Sequence, residues 1–416
     1  MSDKKRNVPV LRFNGFSDAW EQRKLGDMGK TFAGLSGKTK EDFGHGNAKY
    51  VTYMNVFSNP VSNHKMVESV EIDTKQQQVQ YGDVFFTTSS ETPEEVGMSS
   101  VWLENIKNVY LNSFCFGYRP TAIFAPYYLA FMLRSPILRK KFMLLAQGIS
   151  RYNISKNKVM DIQVLIPALT EQKKIGAFFQ HLDNTIALHQ RKLDALKQMK
   201  KGFLQQLFPE NGEKLPRVRF TGFQEEWEQR KLGDMGKTFA GLSGKTKEDF
   251  GHGNAKYVTY MNVFSNPVSN HKMVESVEID TKQQQVQYGD VFFTTSSETP
   301  EEVGMSSVWL ENIKNVYLNS FCFGYRPTAI FAPYYLAFML RSPILRKKFM
   351  LLAQGISRYN ISKNKVMDIQ VLIPALTEQK KIGAFFQHLD NTIALYQYKL
   401  DQLNILKKAC LQNMFI

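Results

Sequence analysis

Cysteine is scarce in this 416-residue sequence, and no apolar run in it is long. The three cysteines, Cys115, Cys322 and Cys410, form neither a disulfide framework nor a CxxC pair, which favours a reducing, cytoplasmic setting. The longest apolar stretch, residues 121–133, contains Pro126 and is too short to span a bilayer. The N-terminal residues are charged and lack an apolar segment, so we expect no secretory signal.

Motifs for catalysis or cofactor binding are also missing. Residues 34–39 resemble the end of a phosphate-binding P-loop, but Phe32 stands where that motif requires glycine. The seven histidines lack zinc-ligand spacing, and no GxSxG nucleophile motif occurs. Asn59-Pro60 is followed by Val61, which breaks the Asn-Pro-Pro-aromatic motif that grips a flipped adenine. We therefore expect no catalytic residues, no metal and no cofactor bound by this chain.

Positive charge is what the sequence has in excess. Lysine and arginine number 53 against 38 aspartates and glutamates, for a net charge of +15. Hydrophobic residues make up 43% and aromatic residues 13%, enough to build real cores and to exclude disorder as the main state. A folded protein this basic most often binds nucleic acid, and a membrane surface is the rival partner.

An internal repeat determines the domain organisation. Residues 20–188 recur without a single difference as residues 227–395, and the copies diverge from His189 and Tyr396 onwards. A period of 207 residues is far too long for a solenoid, so each copy should hold at least one domain. The repeat predicts two equivalent binding surfaces in one chain.

Each copy begins with a mixed α/β globule. In the first copy, residues 20–167 contain short strand-like runs bounded by turn residues, at 49–53, 83–87, 100–103 and 162–166. A helix is predicted over residues 126–147, with a kink at Pro136 and its arginines and lysines on a solvated face.

A long helix with a coiled-coil seam follows each globule. Thr170 is its candidate N-cap, and apolar residues then recur at alternating steps of four and three. Either relative orientation of the two helices fits the chain length between them. The predicted seam comprises Ile175, Phe179, Leu182, Ile186, Leu193 and Leu196, with Ile382, Phe386, Leu389, Ile393, Leu400 and Leu403 in the second copy.

Several strings together resemble one family. They are Gly148-Ile149-Ser150-Arg151-Tyr152-Asn153-Ile154-Ser155, then Pro167-Ala168-Leu169-Thr170-Glu171-Gln172-Lys173-Lys174-Ile175, and upstream Gly82-Asp83-Val84-Phe85-Phe86. The sequence is similar to the specificity (S, HsdS) subunit of type I restriction–modification enzymes over nearly its whole length. It departs from that family in carrying two identical recognition domains where two dissimilar ones are usual.

The resemblance implies an α+β architecture: two mixed α/β target-recognition domains separated by two long helices that form an antiparallel coiled coil. On this basis residues 1–168 and 217–375 are recognition domains, 169–208 and 376–416 are helices, and 209–216 is a linker. It also implies double-stranded DNA, two methyltransferase subunits and restriction subunits as partners. Those partners, not this chain, would use S-adenosylmethionine, ATP and Mg.

Loop residues that suit phosphate contact are the candidate DNA-binding residues, since such contacts require Lys, Arg and small polar groups. They are Ser36, Lys38, Lys40, Thr88, Ser89, Ser90, Arg151, Tyr152, Asn153, Lys156 and Lys158, repeated as Ser243, Lys245, Lys247, Thr295, Ser296, Ser297, Arg358, Tyr359, Asn360, Lys363 and Lys365.

Three functions compete at this stage. The first is a sequence-specific DNA reader that directs adenine-N6 methylation and restriction by partner subunits, with identical domains predicting an interrupted palindromic target. The second is a fused methyltransferase–endonuclease, and the third is a non-specific DNA-binding scaffold. In the first function, helices of about 55 Å, at 1.5 Å per residue, would act as a ruler that sets the distance between the two DNA half-sites.

Overall fold

The computed structural model describes residues 7–210 and 212–416. The chain divides into two compact units, the first containing the residues up to Gln190 together with Tyr398–Ile416, and the second Arg191–Gln397. Residues 1–6 of the predicted first domain and Asn211 of the predicted linker lie outside the described residues. Among the described helices, none is both long and apolar enough to cross a membrane.

The first unit is a mixed α/β globule with a long helix at its end. Its strands are β1 (Glu21–Lys24), β2 (Gly29–Ala33), β3 (Phe43–Val51), β4 (Val67–Val70), β5 (Val84–Thr87), β6 (Ser89–Ser90), β7 (Ser99–Val101), β8 (Val109–Leu111), β9 (Cys115–Pro120), β10 (Tyr152–Asn153) and β11 (Gln163–Ile166). Its helices are α1 (Tyr53–Ser58), α2 (Pro126–Leu133), α3 (Pro136–Leu144), α4 (Lys156–Met160) and the start of α5 (Leu169–Gln206), with short 3-10 turns at Leu25–Met28 and Lys40–Asp42.

The second unit repeats these elements. Its strands are β12 (Glu228–Lys231), β13 (Gly236–Ala240), β14 (Phe250–Val258), β15 (Val274–Val277), β16 (Val291–Thr294), β17 (Ser296–Ser297), β18 (Ser306–Val308), β19 (Val316–Leu318), β20 (Cys322–Pro327), β21 (Tyr359–Asn360) and β22 (Gln370–Ile373). Its helices are the end of α5, then α6 (Tyr260–Ser265), α7 (Pro333–Leu340), α8 (Pro343–Leu351), α9 (Lys363–Met367) and the start of α10 (Leu376–Asn413), with 3-10 turns at Leu232–Met235 and Lys247–Asp249.

Small sheets, not one large sheet, build each globule. In the first unit an antiparallel sheet runs in the order β2-β9-β5-β7, and a second sheet runs β4-β3-β8 with β3 and β8 parallel. Two further pairs, β1 with β11 and β6 with β10, tie distant segments together. The predicted strand over residues 49–53 is wrong at its end, because the Thr52 hydroxyl accepts a hydrogen bond from the Asn55 amide and starts α1.

The long helix begins at Leu169, so Thr170 lies inside its first turn and is not the N-cap. Glu171 is buried, and its two carboxylate oxygens accept hydrogen bonds from Nε and Nη2 of Arg12, at 2.7 and 2.8 Å, in a bidentate ion pair. The Gln172 side chain accepts from the Ala125 amide and donates to the Pro167 carbonyl. The Glu-Gln pair of the family-like string thus fastens the helix to its own globule, and Arg219, Glu378 and Gln379 repeat the arrangement in the second unit.

The next turn of α5 enters the main core of the first unit. Ile175 and Phe179 are buried among residues of α2, and Phe179 stacks on Phe131 with 5.1 Å between ring centroids. Gly176 permits this close approach, since a Cβ there would lie 2.7 Å from the Tyr128 backbone nitrogen. The first part of the predicted seam therefore packs against the globule as well as against another helix.

Antiparallel helix pairing is present within each unit, as predicted. In the first unit Phe179 stacks on Phe415, and Asp183 of α5 pairs with Lys407 of α10 at 2.6 Å. As α5 runs forward from residue 179 to 183, its partners run backward from residue 415 to 407, so the two segments are antiparallel. In the second unit Lys200 pairs with Asp390 at 2.5 Å and Phe208 stacks on Phe386.

The predicted helix over residues 126–147 is two helices, because Pro136 starts α3 and the Ser135 hydroxyl caps it. The expectation that its arginines and lysines are solvated is wrong for both arginines. Arg134 donates hydrogen bonds to the carbonyls of Ser99, Val56, Phe57 and Asn59, and Arg139 donates to those of Glu94, Val96 and Gly97. Burial lowers the pKa of both guanidiniums, to about 9 for Arg134 and about 10 for Arg139, which leaves both charged at neutral pH.

Removing the Glu171 carboxylate should weaken the helix docking. We expect Glu171→Gln to lower the unfolding free energy of the first unit by about 2–4 kcal/mol, because it leaves the largely buried Arg12 guanidinium without its counter-ion. Glu21→Gln is the matched control, since Glu21 pairs with Arg23 on an exposed surface and should lose under about 0.5 kcal/mol. Denaturant unfolding measures both; equal effects would contradict the docking role.

Removing the Arg139 guanidinium should loosen the segment that it holds. We expect Arg139→Met with Arg346→Met to speed hydrogen exchange at residues 94–98 and 301–305 at least about fivefold, because three carbonyls in each copy lose their donor. Both copies must be changed because their peptides are identical in sequence. Lys140→Met with Lys347→Met, on the exposed side of the same helices, should leave the exchange unchanged.

Candidate nucleic-acid interface

A tight loop at residues 147–153 presents part of the predicted site to solvent. The Gln147 and Asn153 backbones close it with two hydrogen bonds, at 2.8 and 2.9 Å. Gly148 has φ +139°, and a Cβ there would lie 2.0 Å from the Arg151 carbonyl oxygen, so only glycine fits this turn. Residues 147–151 are all exposed. The loop therefore projects Arg151 with its neighbours on a constrained backbone.

The base of the 147–153 loop is fixed to the segment that follows β5. Asn153 and Tyr152 of β10 pair with Ser89 and Ser90 of β6, and the Ile154 amide donates to the Thr88 carbonyl at 2.9 Å. The chain thus brings together two of the three predicted groups, residues 88–90 and 151–158.

Within that junction the serines are structural. Ser89 and Ser90 are 8% and 5% exposed, and the Ser90 hydroxyl donates to the Thr92 carbonyl. The Thr88 hydroxyl donates to the Phe114 carbonyl at 2.8 Å. The hydroxyls of Ser90 and Thr88 are thus bonded within the protein and Ser89 is buried, whereas Arg151, Asn153, Lys156 and Lys158 are exposed, and Tyr152 is half-buried.

α1 supports the same junction. The Tyr53 hydroxyl donates to the Ser89 carbonyl at 2.7 Å, and burial raises its pKa above the ordinary value. The Tyr53 hydroxyl thus fixes α1 to the segment that pairs with the base of the 147–153 loop.

The third predicted group, at residues 36–40, is held elsewhere in the unit. Lys38 forms ion pairs with Asp73 at 3.0 Å and Asp42 at 3.8 Å, and 12% of its side chain is exposed. Its hydrogen bond with Asp73 raises the Lys38 pKa and lowers the Asp73 pKa. Ser36 exchanges backbone hydrogen bonds with the Gln76 side chain. Lys40 is exposed, and it is the member of this group whose charge faces solvent.

The electrostatics of the junction are mixed. Lys156 and Lys158 lie exposed on α4, directly after the 147–153 loop, and add to Arg151. The segment after β6 carries Glu91 and Glu94, which are exposed. The exposed cations of the loop and α4 favour phosphate contact, and the exposed glutamates of the segment after β6 oppose it.

The second unit has the same geometry at the repeated positions. Gln354 and Asn360 close its loop, Gly355 has φ +139°, and Arg358, Asn360, Lys363 and Lys365 are exposed with Tyr359 half-buried. Thr295, Ser296 and Ser297 occupy the junction, although the Ser297 hydroxyl there donates to Glu302. Lys245 pairs with Asp280 and Asp249, Ser243 bonds Gln283, and Lys247 is exposed. The two candidate interfaces are copies in structure as in sequence.

The exposed tip of the loop, residues 147–150, is not among the predicted site residues, and neither are the arginines that hydrogen-bond the neighbouring backbone. Gln147 and Ile149 are not residue types chosen for phosphate contact, so only the tight closure around Gly148 marks the tip of the loop. Across the described ranges, no cluster of three or more His, Cys, Asp or Glu side chains is placed to hold a metal ion.

Comparison with known proteins identifies both repeats. The family model for the type I restriction modification DNA specificity domain matches residues 17–198 and again 224–404. A curated relative from Methanocaldococcus jannaschii, named as the type I restriction enzyme MjaX specificity subunit, is 24% identical over 301 residues. That match covers 68% of this chain and 65% of the length of the relative.

Solved structures share the fold. The S subunit of a type I restriction–modification system from M. genitalium gives a TM-score of 0.58 at 13% identity, covering 98% of this chain and 99% of that one. A chain from a structural study of complex assembly and conformational transition of the type I R-M system gives 0.55 at 18% identity, covering 94% and 96%. With two matched domains and this fold, the chain belongs to the family of type I restriction modification DNA specificity domains.

Proposed function

We propose that this chain is the DNA-recognition subunit of a type I restriction–modification complex. The observation that carries the proposal is the pair of DNA specificity domains, at residues 17–198 and 224–404, each with the same exposed cationic loop. The net charge of +15 suits a polyanionic partner.

Catalysis then belongs to other subunits. In this proposal the chain binds no cofactor and carries out no reaction. Two methyltransferase subunits, one for each copy of the long helix, supply S-adenosylmethionine-dependent adenine-N6 methylation, and restriction subunits supply ATP- and Mg-dependent translocation and cleavage in the cytoplasm. The identity of α5 and α10 up to Leu188 and Leu395 supports two equivalent docking sites for the methyltransferase.

The loops at residues 147–153 and 354–360, with α4 and α9, are the proposed DNA-contacting elements. Each loop is closed by backbone hydrogen bonds and held at its base by a strand pair, so its exposed residues keep a defined geometry. Arg151 and Arg358 contact DNA, with Lys156, Lys158, Lys363 and Lys365 as phosphate ligands. The paired Lys38 and the buried Ser89 and Ser90 act mainly within the protein.

Two identical recognition domains should read the same bases. The helices pair antiparallel within each unit. From this pairing we predict that the two DNA half-sites are inverted copies of each other. We therefore expect an interrupted palindrome with an adenine in each half and symmetric methylation of both strands. Methylation-sensitive sequencing of DNA from cells that carry this chain with its methyltransferase partner tests this.

Each outcome of that experiment is informative. A motif with two unrelated halves would refute the prediction that identical domains read the same bases. A direct repeat would refute only the prediction that antiparallel helices give inverted half-sites. Methylation by the purified chain alone would make it an enzyme. Binding that falls steeply with salt and does not discriminate between sequences would make it a non-specific scaffold.

The long helices should set the spacing between the half-sites. Leu193 and Leu400 are 1% and 6% exposed, so Leu193→Asp with Leu400→Asp places carboxylates in buried seam positions. We expect at least about a tenfold loss of preference for one spacer length, measured with duplexes of varied spacer, because a buried unpaired charge disrupts the helix pairing.

The same helices offer a matched control for this change. Leu188→Asp with Leu395→Asp introduces the same charges at residues that are 62% and 49% exposed, and should leave the spacer preference unchanged. A preserved preference in the Leu193 and Leu400 variant, with the fold intact, would show that the helices do not act as a ruler.

A further inference from the structure

Each DNA-contacting loop carries an isoleucine in a place where the fold does not need one. Ile149 is 95% exposed and its counterpart Ile356 is 97% exposed, the highest values among the exposed large hydrophobic residues of the described chain. Ile154, at the base of the same loop, is 6% exposed and packs in the main core. Full exposure of an isoleucine contributes nothing to core burial, so a polar residue would serve the fold equally well.

The backbone around Ile149 is constrained. Two hydrogen bonds between Gln147 and Asn153 close the loop, and Gly148 occupies a turn that no larger residue fits. The Ile154 amide and the pairing of β10 with β6 fix both ends to the globule. An apolar side chain on such a loop loses little conformational entropy on binding, since its position is set beforehand.

The neighbours of Ile149 indicate which partner meets it. Ser150 and Arg151 follow it in the exposed stretch, and Lys156 and Lys158 lie exposed on the adjoining helix. An isoleucine beside cations suits the DNA major groove, where Arg and Lys contact phosphates and apolar side chains contact the thymine methyl group. A purely phosphate-binding loop has no use for the isoleucine.

We propose that Ile149 and Ile356 enter the DNA major groove and make apolar contacts with base edges, so that they help to specify the recognised sequence. Arg151 and Arg358 contact the phosphates of the DNA backbone. This assignment rests on the proposed function of the chain as a DNA reader. It predicts different thermodynamic signatures for the two residue types, because base contacts depend on sequence and phosphate contacts depend on salt.

The test uses the full chain purified with its methyltransferase partner, a duplex carrying the motif mapped in vivo, and a scrambled duplex, each over a salt series. Ile149→Ser with Ile356→Ser should weaken binding to the motif about tenfold or more, and should leave both the scrambled-duplex affinity and the salt dependence unchanged. Arg151→Ala with Arg358→Ala should weaken binding to both duplexes and reduce the salt slope by about two, one for each copy.

A matched variant controls for the loss of exposed isoleucine in general. Ile123→Ser with Ile330→Ser removes residues that are each 80% exposed outside the 147–153 loop and its repeat, and should change neither affinity. An Ile149 and Ile356 variant that binds the motif as the unchanged protein does, or that loses both affinities equally, would overturn the proposal. If the unchanged protein itself fails to distinguish the two duplexes, the proposed DNA-reading function fails and this assignment falls with it.

Discussion

The structure of each unit depends on one buried carboxylate at the start of a long helix. Glu171 lies under the surface with both oxygens bound by the Arg12 guanidinium, and the adjacent Gln172 bridges the Ala125 amide and the Pro167 carbonyl. A buried charge is tolerated only when it is paired, so this geometry admits one position of the helix against the globule. With that position set, the next turn delivers Ile175 and Phe179 to the core.

The core is completed from a distant part of the sequence. In the first unit Phe415 stacks on Phe179 and contacts Tyr128, and in the second unit Phe208 stacks on Phe386 and contacts Tyr335. Phe208 and Phe415 lie one repeat apart, outside the stretch of perfect identity. Their shared role shows that the packing constraint extends further along the chain than the identical sequence does.

The sequence was sufficient to predict the large features of the fold, because these depend on local pattern. The repeat, the long helices and their apolar seam all follow from spacing along the chain, and Pro136 marked an interruption that proved to be the start of a second helix, not the kink that was predicted. The family-like string around Glu171 indicated the family, but its physical role needed Arg12, which is 159 residues away. The periodicity of a sequence does not indicate an ion pair between residues so far apart.

The candidate site was less predictable, because a residue type does not reveal its own burial. Lysine and serine in a glycine-rich or polar loop suggested contact with phosphate, yet Lys38 is held by Asp73 and Ser90 by the Thr92 carbonyl. Arg134 and Arg139 suggested a solvated helix face, yet their guanidiniums bind backbone carbonyls inside the unit. In each case a partner from a different segment decides the outcome, and single-sequence patterns carry no information about that partner.

Under the proposed function, identity between the copies places a strong constraint on how the two units read DNA. All residues that brace or form the exposed loops, from Tyr53 and Ser89 to Arg139 and Arg151, recur unchanged in the second unit. The two loops have the same closure, the same glycine conformation and the same exposed side chains. Downstream of the repeat, differences begin at His189 and Tyr396, within the helices, and the residues before Trp20 and Trp227 differ as well. Since base readout depends on side chains and loop geometry, sequence preference in one unit cannot differ from that in the other. Any asymmetry in the behaviour of the chain must therefore arise from the segments outside the repeat, such as the helices beyond Leu188 and Leu395, and from whatever contacts them, not from the reading of bases.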